Sequence, residues 1–568
     1  MTLQEPAAGP SAEPEPDLHE PGSAERGPVL DRWIFGVAAV LVLVFIAWGM
    51  FATDNLATVS SAVLTGVMDV GGWAFVLAAS GFVVFALWVA FGRYGKIPLG
   101  RDDEAPEFRT SSWIAMMFSA GMGIGLMFFG VAEPLAHFTS PPPGTVPPGS
   151  PAALDVAMAT TLFHWTLHPW AIYAVVGLAI AYSTFRRGRR QLISSAFTPL
   201  MGRRSTDGAF GRAVDILAIF ATLFGSAASL GLGALQIGGG LAANGITGLP
   251  KAVLVGIIVV LTIAFIVSAV TGVAKGIQWL SNINMVLAGI LALFVFVVGP
   301  TILILNLIPT AIGDYFRDLA QMSARTAATG GDAMADWLSG WTVFYWAWWI
   351  SWTPFVGMFI ARISRGRSIK QFVVGVMLIP SLVSLLWFAI FGGAAIDRQR
   401  SGIDLAAADT EGQLFGLLHT YPLGGVLSVL AMVLVAIFFV SGADAASVVM
   451  GTLSQRGTIE PNRWVVVFWG TVMGAIAVIM LLVAPGDEAL TGIQNITIIM
   501  AAPFALVMIA LCVALAKDLH DDPISRRDRR AVAAVEQAVE YGTRAHDGRF
   551  ILNVKPEDEA DPALRRKR

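Results

Sequence analysis

The sequence predicts an all-α polytopic membrane protein of twelve transmembrane helices, and three observations carry that reading. Hydrophobic residues fill 55 % of the 568 positions and charged ones only 14 %, where a soluble chain has about a quarter charged. Apolar runs recur at about 20 residues, the length a helix needs to cross a hydrocarbon core of about 30 Å. Lys and Arg crowd alternate loops and nearly vanish from the others. So much apolar surface has no place in a water-soluble core, which excludes a soluble enzyme and a nucleic-acid binder.

In chain order, residues 1–30 read as an acidic disordered tail, with Glu5, Glu13, Glu15, Asp17, Glu20 and Glu25 against Arg26. The tail lacks the basic-then-apolar order of a cleavable leader. Residues 31–516 then hold spans near 31–52, 72–92, 112–131, 155–184, 213–241, 251–272, 282–308, 337–361, 371–393, 422–450, 462–484 and 490–516. The fourth is longer than a crossing needs and is expected to begin with a loop or interfacial turn. Segment 309–325 mixes apolar residues with Asp314, Arg317 and Asp318, the pattern of an amphipathic surface helix. Residues 517–568 form a charged tail with 12 basic and 11 acidic residues and a helix expected over 524–541.

The basic residues sort these loops. Of 37, only Lys251, Arg317, Arg325, Arg398 and Arg400 fall in the alternate set. The positive-inside rule then puts both termini in the cytoplasm, as an even number of spans requires. The one cysteine, Cys512, excludes an intrachain disulfide and a thiol-based metal cluster.

Two spans carry backbone breakers. Span 3 contains Gly121-Met122-Gly123-Ile124-Gly125, and span 8 contains Thr353-Pro354-Phe355-Val356-Gly357. Irregular backbone at membrane depth is tolerated where it lines a cavity or is buried in protein. The two breaks lie five spans apart, so spans 3–7 and 8–12 read as two five-helix units. Five is odd, so the units are inverted, and interrupted helices at matching positions point to an alternating-access site.

Next to the second break lies an aromatic cluster. Six of the 17 tryptophans fall between Trp337 and Trp352, and Tyr345, Trp348, Trp349 and Trp352 share one helix face. Trp165, Trp170 and Tyr173 form a second set in span 4. Interfacial anchoring explains Trp33 or Trp464 but not a mid-span cluster. A box of ring faces suits a quaternary ammonium, which has no N–H to donate and presents methyl groups bearing positive charge. Each contact is worth about 0.5–2 kcal/mol.

These residues resemble the betaine/choline/carnitine transporter family. Gly121–Gly125 is similar to its glycine stretch, and Phe344 through Arg367 (FYWAWWISWTPFVGMFIARISRGR) to its signature segment. The resemblance runs from span 1 to span 12. It implies a LeuT-like fold of inverted five-helix repeats preceded by two helices, a homotrimer, no enzymatic activity and no cofactor beyond coupling ions. Trp165, Trp170, Tyr173, Trp348, Trp349 and Trp352 match the family's cage, Phe344 a gating aromatic, and Met122, Gly123 and Gly125 the glycine stretch. Choline-carrying members tend to have an acidic residue where this chain has Gly125. The implied substrate is therefore a zwitterion, glycine betaine or a related osmolyte, whose carboxylate meets helix amides.

A zwitterion carries no net charge, so concentrating it calls for a cation. Two sodium ions supply about 4.6 kcal/mol at 100 mV. Thr222 and Ser226, four apart on span 5, match a family sodium site near Phe355. Ser119 and Met122, with Phe438 and Ser441, match the second. There the chain departs from the pattern, because Gly442 stands where sodium-coupled members carry a second hydroxyl. Back-bonding to the helix is the ordinary alternative for such hydroxyls. His164 and His168 read as packing residues or a proton relay, and Glu133 and Asp444 as caps or functional carboxylates. Osmotically activated members sense stress through a basic tail near anionic lipid, for which Arg526, Arg527, Arg529 and Arg530 are the candidates. The runner-up is choline or carnitine transport by proton coupling or antiport. A His-Glu-x-x-His motif and a Walker-type loop are both missing from the sequence.

Overall fold

The computed structural model describes residues 29–552 except 122, 247–249, 272–273 and 484–488, with the side chains of 118–121 and 271–281 also outside the description. In order, the helices are α1 (Arg32–Phe51), α2 (Thr53–Phe91), α3 (Thr110–Gly121), α4 (Ile124–Thr139), α5 (Pro151–Trp165), α6 (Leu167–Ala181) and α7 (Thr198–Thr206). Next come α8 (Ala209–Ala243), α9 (Lys251–Thr271), α10 (Ala274–Val298), α11 (Thr301–Ser323), α12 (Ala327–Leu338) and α13 (Phe344–Ile363). The last are α14 (Ile369–Arg400), α15 (Gln413–His419), α16 (Gly424–Ser454), α17 (Arg463–Leu482), α18 (Ala489–His520) and α19 (Pro523–Ala545).

Among the described residues, nine helical stretches are long and apolar enough to cross a bilayer, and the bent pair α10–α11 makes up to ten. The two expected crossings outside this set are the broken pair α3–α4 and the aromatic α13. The first is split into pieces of 12 and 16 residues. The second trades aliphatic residues for tryptophan, serine and threonine, which lowers its hydropathy.

The packing is reciprocal between the two halves. The first helix of each unit lies on the second helix of the other, α13 on α6 and α3–α4 on α14. The third helices, α8 and α16, pack on each other. The fourth and fifth, α17 and α18, pack on α8, just as α9 and α10 pack on α16. Reciprocal pairing of this kind is what a pseudo-twofold axis produces, and an odd number of spans per unit inverts the copies.

Four local readings change. The helix of span 2 begins at Thr53 and runs 39 residues, because nothing in 53–71 breaks it. Span 4 does not open with a loop. It starts cleanly at Pro151, where Ser150 accepts from Ala153 N–H, and breaks in its middle at Thr166 (φ −116°, ψ −108°). Span 7 ends at Val298, where Gly299-Pro300 turns the chain by 108°, so the amphipathic helix starts at Thr301 rather than 309. Pro354 does not interrupt α13. Proline frees the carbonyl four residues back, and Thr353 Oγ1 donates to that carbonyl, Ile350 O, at 2.6 Å.

Candidate functional site

The break between α3 and α4 exposes the start of a helix inside the bundle. Gly123 caps α4 in extended conformation, and the first bond in the helix runs from Met127 N–H to Gly123 O (3.4 Å). The opening amides of α4 thus have no partner within that helix, as at any helix start. Gly123, Gly125 and Leu126 line a cavity walled on its other sides by rings.

Those rings come from three helices. Trp165, at the end of α5, and Trp170 and Tyr173, on α6, supply one wall. Trp348, Trp349 and Trp352 on α13 supply the other. Trp165 meets Trp349 edge-on at 4.9 Å, Tyr173 meets Trp349 at 6.2 Å, and Trp348 meets Trp352 at 6.4 Å. The mid-span break at Thr166 lets Trp165 and Trp170 approach one cavity from separate helical segments.

Four of the five indoles have their N–H groups tied off by protein. Trp348 donates to Ser229 Oγ (3.1 Å), Trp349 to His164 O (3.0 Å) and Trp352 to Gly225 O (2.9 Å). Trp165 donates to Glu133 Oε2 at 2.6 Å. The polar edges are anchored in the scaffold, which leaves ring faces as the surface on offer. These four rings attract a desolvated organic cation and give it no hydrogen bond. The opening turn of α4, which lines the same cavity, favours negative charge. The cavity therefore suits a ligand cationic at one end and anionic at the other.

Glu133 is the hub behind the wall. It is fully buried and also accepts from Tyr345 Oη (2.6 Å) and His164 Nδ1 (2.6 Å), while His164 Nε2 pairs with Thr342 Oγ1 (2.9 Å). Donor atoms of Glu133, His137 and His164 lie within 4.8 Å of one another, but the carboxylate is already spent on indole, phenol and imidazole. Its chemistry here is that of an anchor for Trp165.

Residues 33–524 match the family described as BCCT, betaine/carnitine/choline family transporter. The chain belongs to the betaine/carnitine/choline transporter family. It is a multi-pass membrane transporter, not an enzyme. Its relatives include the betaine/ectoine transporter LcoP of Corynebacterium glutamicum, 48 % identical over 93 % of this chain and 84 % of that one. The glycine betaine transporter OpuD of Bacillus subtilis is 44 % identical over 89 % and 96 %. Glycine betaine transporter 1 of Vibrio parahaemolyticus is 39 % identical over 85 % and 92 %. Among solved structures, a Na+-coupled sialic acid symporter is a much looser likeness, at TM-score 0.42 and 15 % identity over 79 % of this chain and 85 % of that one.

The residues expected from the transporter family's pattern divide into three groups. Eight gather around the cavity: Gly123, Gly125, Trp165, Trp170, Tyr173, Trp348, Trp349 and Trp352. Phe344 does not line it; fully buried, it stacks on the back of Trp348 at 5.6 Å. Met122 and the side chain of Ser119 lie outside the described residues.

Of the expected sodium ligands, Thr222 is buried on α8 with its hydroxyl donating to Ala218 O (2.9 Å), which leaves its lone pairs uncommitted. Ser226 sits one turn on, and Phe355 packs on Trp352 at 5.7 Å. Between Thr222 and Ser226, α8 presses against α13 so closely that a Cβ at Gly225 would strike Ser351 and Trp352. Ser441 donates to Ile437 O (2.8 Å), Phe438 is half-buried beside it, and Gly442 faces open space. The lining residues that sequence reasoning missed are Leu126, Pro169, Val356 and Ser384. Pro169 and Val356 adjoin residues already singled out, whereas Leu126 and Ser384 carry no compositional signal, and the packing of α14 on α4 and α6 brings Ser384 in.

Proposed function

We propose that this chain takes up a zwitterionic osmolyte, glycine betaine or a related compatible solute such as ectoine, in symport with sodium, as protection against osmotic stress. The observation that carries the reading is the division of the cavity. Indole faces, four of the five with their N–H groups tied to protein, and the opening turn of α4 line the same cavity and offer opposite electrostatics. Names of relatives point the same way, to betaine and ectoine. No acidic side chain lines the cavity among the described residues, which disfavours choline, a net cation lacking a carboxylate of its own. Thr222, Ser226 and Phe355 are proposed as one sodium site, and Ser119, Met122, Phe438 and Ser441 as a second with fewer hydroxyls. The protein is proposed to work in the plasma membrane as a homotrimer with both termini in the cytoplasm. Labelled betaine uptake into proteoliposomes, with and without an inward sodium gradient, tests this. Accumulation that needs sodium and is outcompeted by excess betaine supports it. Equal uptake in potassium removes the coupling and favours antiport.

A further inference from the structure

We infer that Ser384 hydrogen-bonds the anionic end of the substrate and so makes the transporter selective for a carboxylate. The inference rests on the zwitterion reading above and assigns a role to a residue outside the aromatic cage. Ser384 sits in α14, is only 2 % exposed, and lines the cavity. Its hydroxyl has no hydrogen-bond partner among the described residues.

Many hydroxyls on membrane helices bond back to their own backbone, as Ser381 does to Met377 O, Ser351 to Trp348 O and Ser447 to Ala443 O. Such back-bonding is the ordinary way a helix hydroxyl is satisfied in an apolar setting. Thr161, Ser183 and Thr262 share with Ser384 the lack of a partner, but they do not line the aromatic cavity. Leaving a buried polar group without a partner is unfavourable, so a hydroxyl that forgoes back-bonding and opens on a cavity is poised for a ligand.

The packing of α14 on α4 shows which end of the ligand it meets. One turn beyond Ser384 on the same face, Trp387 donates its indole N–H to Leu126 O (2.8 Å). Further along, Gly392 packs on Pro134. The two helices thus climb side by side, and stepping back three residues from Trp387 brings Ser384 level with the opening turn of α4. The amides of that turn have no intrahelical acceptor and favour an anion. Trp170 and Tyr173 also line the cavity with uncommitted polar atoms, but they pack on each other at 5.2 Å on α6, in the aromatic wall. Ser384 is the aliphatic hydroxyl at the amide end. Donating to a carboxylate, it replaces a hydrogen bond the ligand loses on leaving water.

The test compares Ser384→Ala and Ser384→Thr with wild type in proteoliposomes. Readouts are the KM for labelled betaine and the inhibition constant of betaine methyl ester, which keeps the ammonium and lacks the carboxylate. A hydrogen bond to a charged group is worth about a ten- to hundredfold change in affinity. The expected result is a KM rise of at least about tenfold in Ser384→Ala, an unchanged inhibition constant for the ester, and recovery in Ser384→Thr. An unchanged betaine KM in Ser384→Ala overturns the inference. Equal weakening of betaine and ester also overturns it, because the serine would then only shape the cavity. A wild type with no betaine uptake overturns the zwitterion reading itself, and this inference with it.

Discussion

Trp165 gives its indole N–H to Glu133 Oε2 across 2.6 Å, so one wall of the cavity is hung from a carboxylate that solvent does not reach. The same oxygen accepts from Tyr345, and the other from His164. Three side chains from α5 and α13 converge on one residue of α4. Whatever holds Glu133 in place therefore also sets the width of the cage.

Glu133→Ala should strand three buried donors at about 1–3 kcal/mol each and lower uptake at least tenfold at equal protein in the membrane. Glu133→Gln should fall between, since its amide oxygen accepts while its NH2 opposes a donor. Uptake normalised to folded protein, with tryptophan fluorescence read alongside, decides it. Wild-type uptake in Glu133→Ala would mean that Trp165 does not depend on this anchor.

The glycine stretch makes a sharper prediction, because its two lining glycines differ. A Cβ at Gly125 would lie 2.7 Å from Trp348 and 2.8 Å from Trp165, whereas one at Gly123 meets nothing within 4 Å. Gly123 is extended at φ −172°, a conformation any residue adopts. Gly125→Ala should therefore abolish or strongly reduce betaine uptake, and Gly123→Ala should retain most of it. Gly125→Asp brings steric load as well as charge, so its choline-to-betaine preference must be compared with that of Gly125→Ala. Equal uptake by the two alanine variants would show that the rings yield at little cost.

Trp349→Ala and Trp352→Ala should each reduce betaine uptake at least tenfold by removing a ring face worth up to about 2 kcal/mol. Phenylalanine at 349 keeps a face but leaves His164 O without its donor, so partial activity is expected. Competition binding in membranes measures both. Undiminished affinity in Trp349→Ala would remove that indole from the cage.

Much of this was legible in the sequence for identifiable reasons. The aromatic cluster and the glycine stretch are concentrated compositional signals. Two breaker segments five spans apart marked where the halves begin, although only the glycine stretch interrupts its helix. What the sequence hid depends on distant contacts. Thr353 repairs the carbonyl that Pro354 frees, so a proline that looks like a break leaves α13 whole. Span 4 breaks at Thr166, and Pro169 in the first turn of α6 supplies the cause, since it cannot donate to the carbonyl of Trp165 four residues back. Glu133 reads as a helix-end acid until α5 and α13 are folded over it, and Ser384 is one serine among many until α14 lies on α4.

The last prediction concerns the junction of the C-terminal tail, where Asp522 begins α19. It is fully buried and accepts from Arg186 through both oxygens (2.9 and 3.2 Å), from Tyr182 Oη (2.8 Å) and from Ile524 N–H (2.9 Å). Asp518, one turn earlier, pairs with Arg187 and Arg189. Burial alone would raise the Asp522 carboxyl, but the bonds from Arg186, Ile524 and Tyr182 outweigh it and hold it below the usual carboxylate range. A depressed folded value means the contribution to docking is complete above the unfolded value of about 3.9 and is lost as pH falls through the folded one. The tail should stay docked across the neutral range and loosen only under strong acid. Asp522→Asn keeps the shape and removes the charge, so amide exchange over residues 523–545 should rise about tenfold or more. Deleting 524–568 spares Asp518 and Asp522. If the docked junction governs response to osmotic stress, Asp522→Asn should therefore shift uptake against osmolality differently from the deletion. Identical exchange in Asp522→Asn and wild type would show that the carboxylate does not hold the tail.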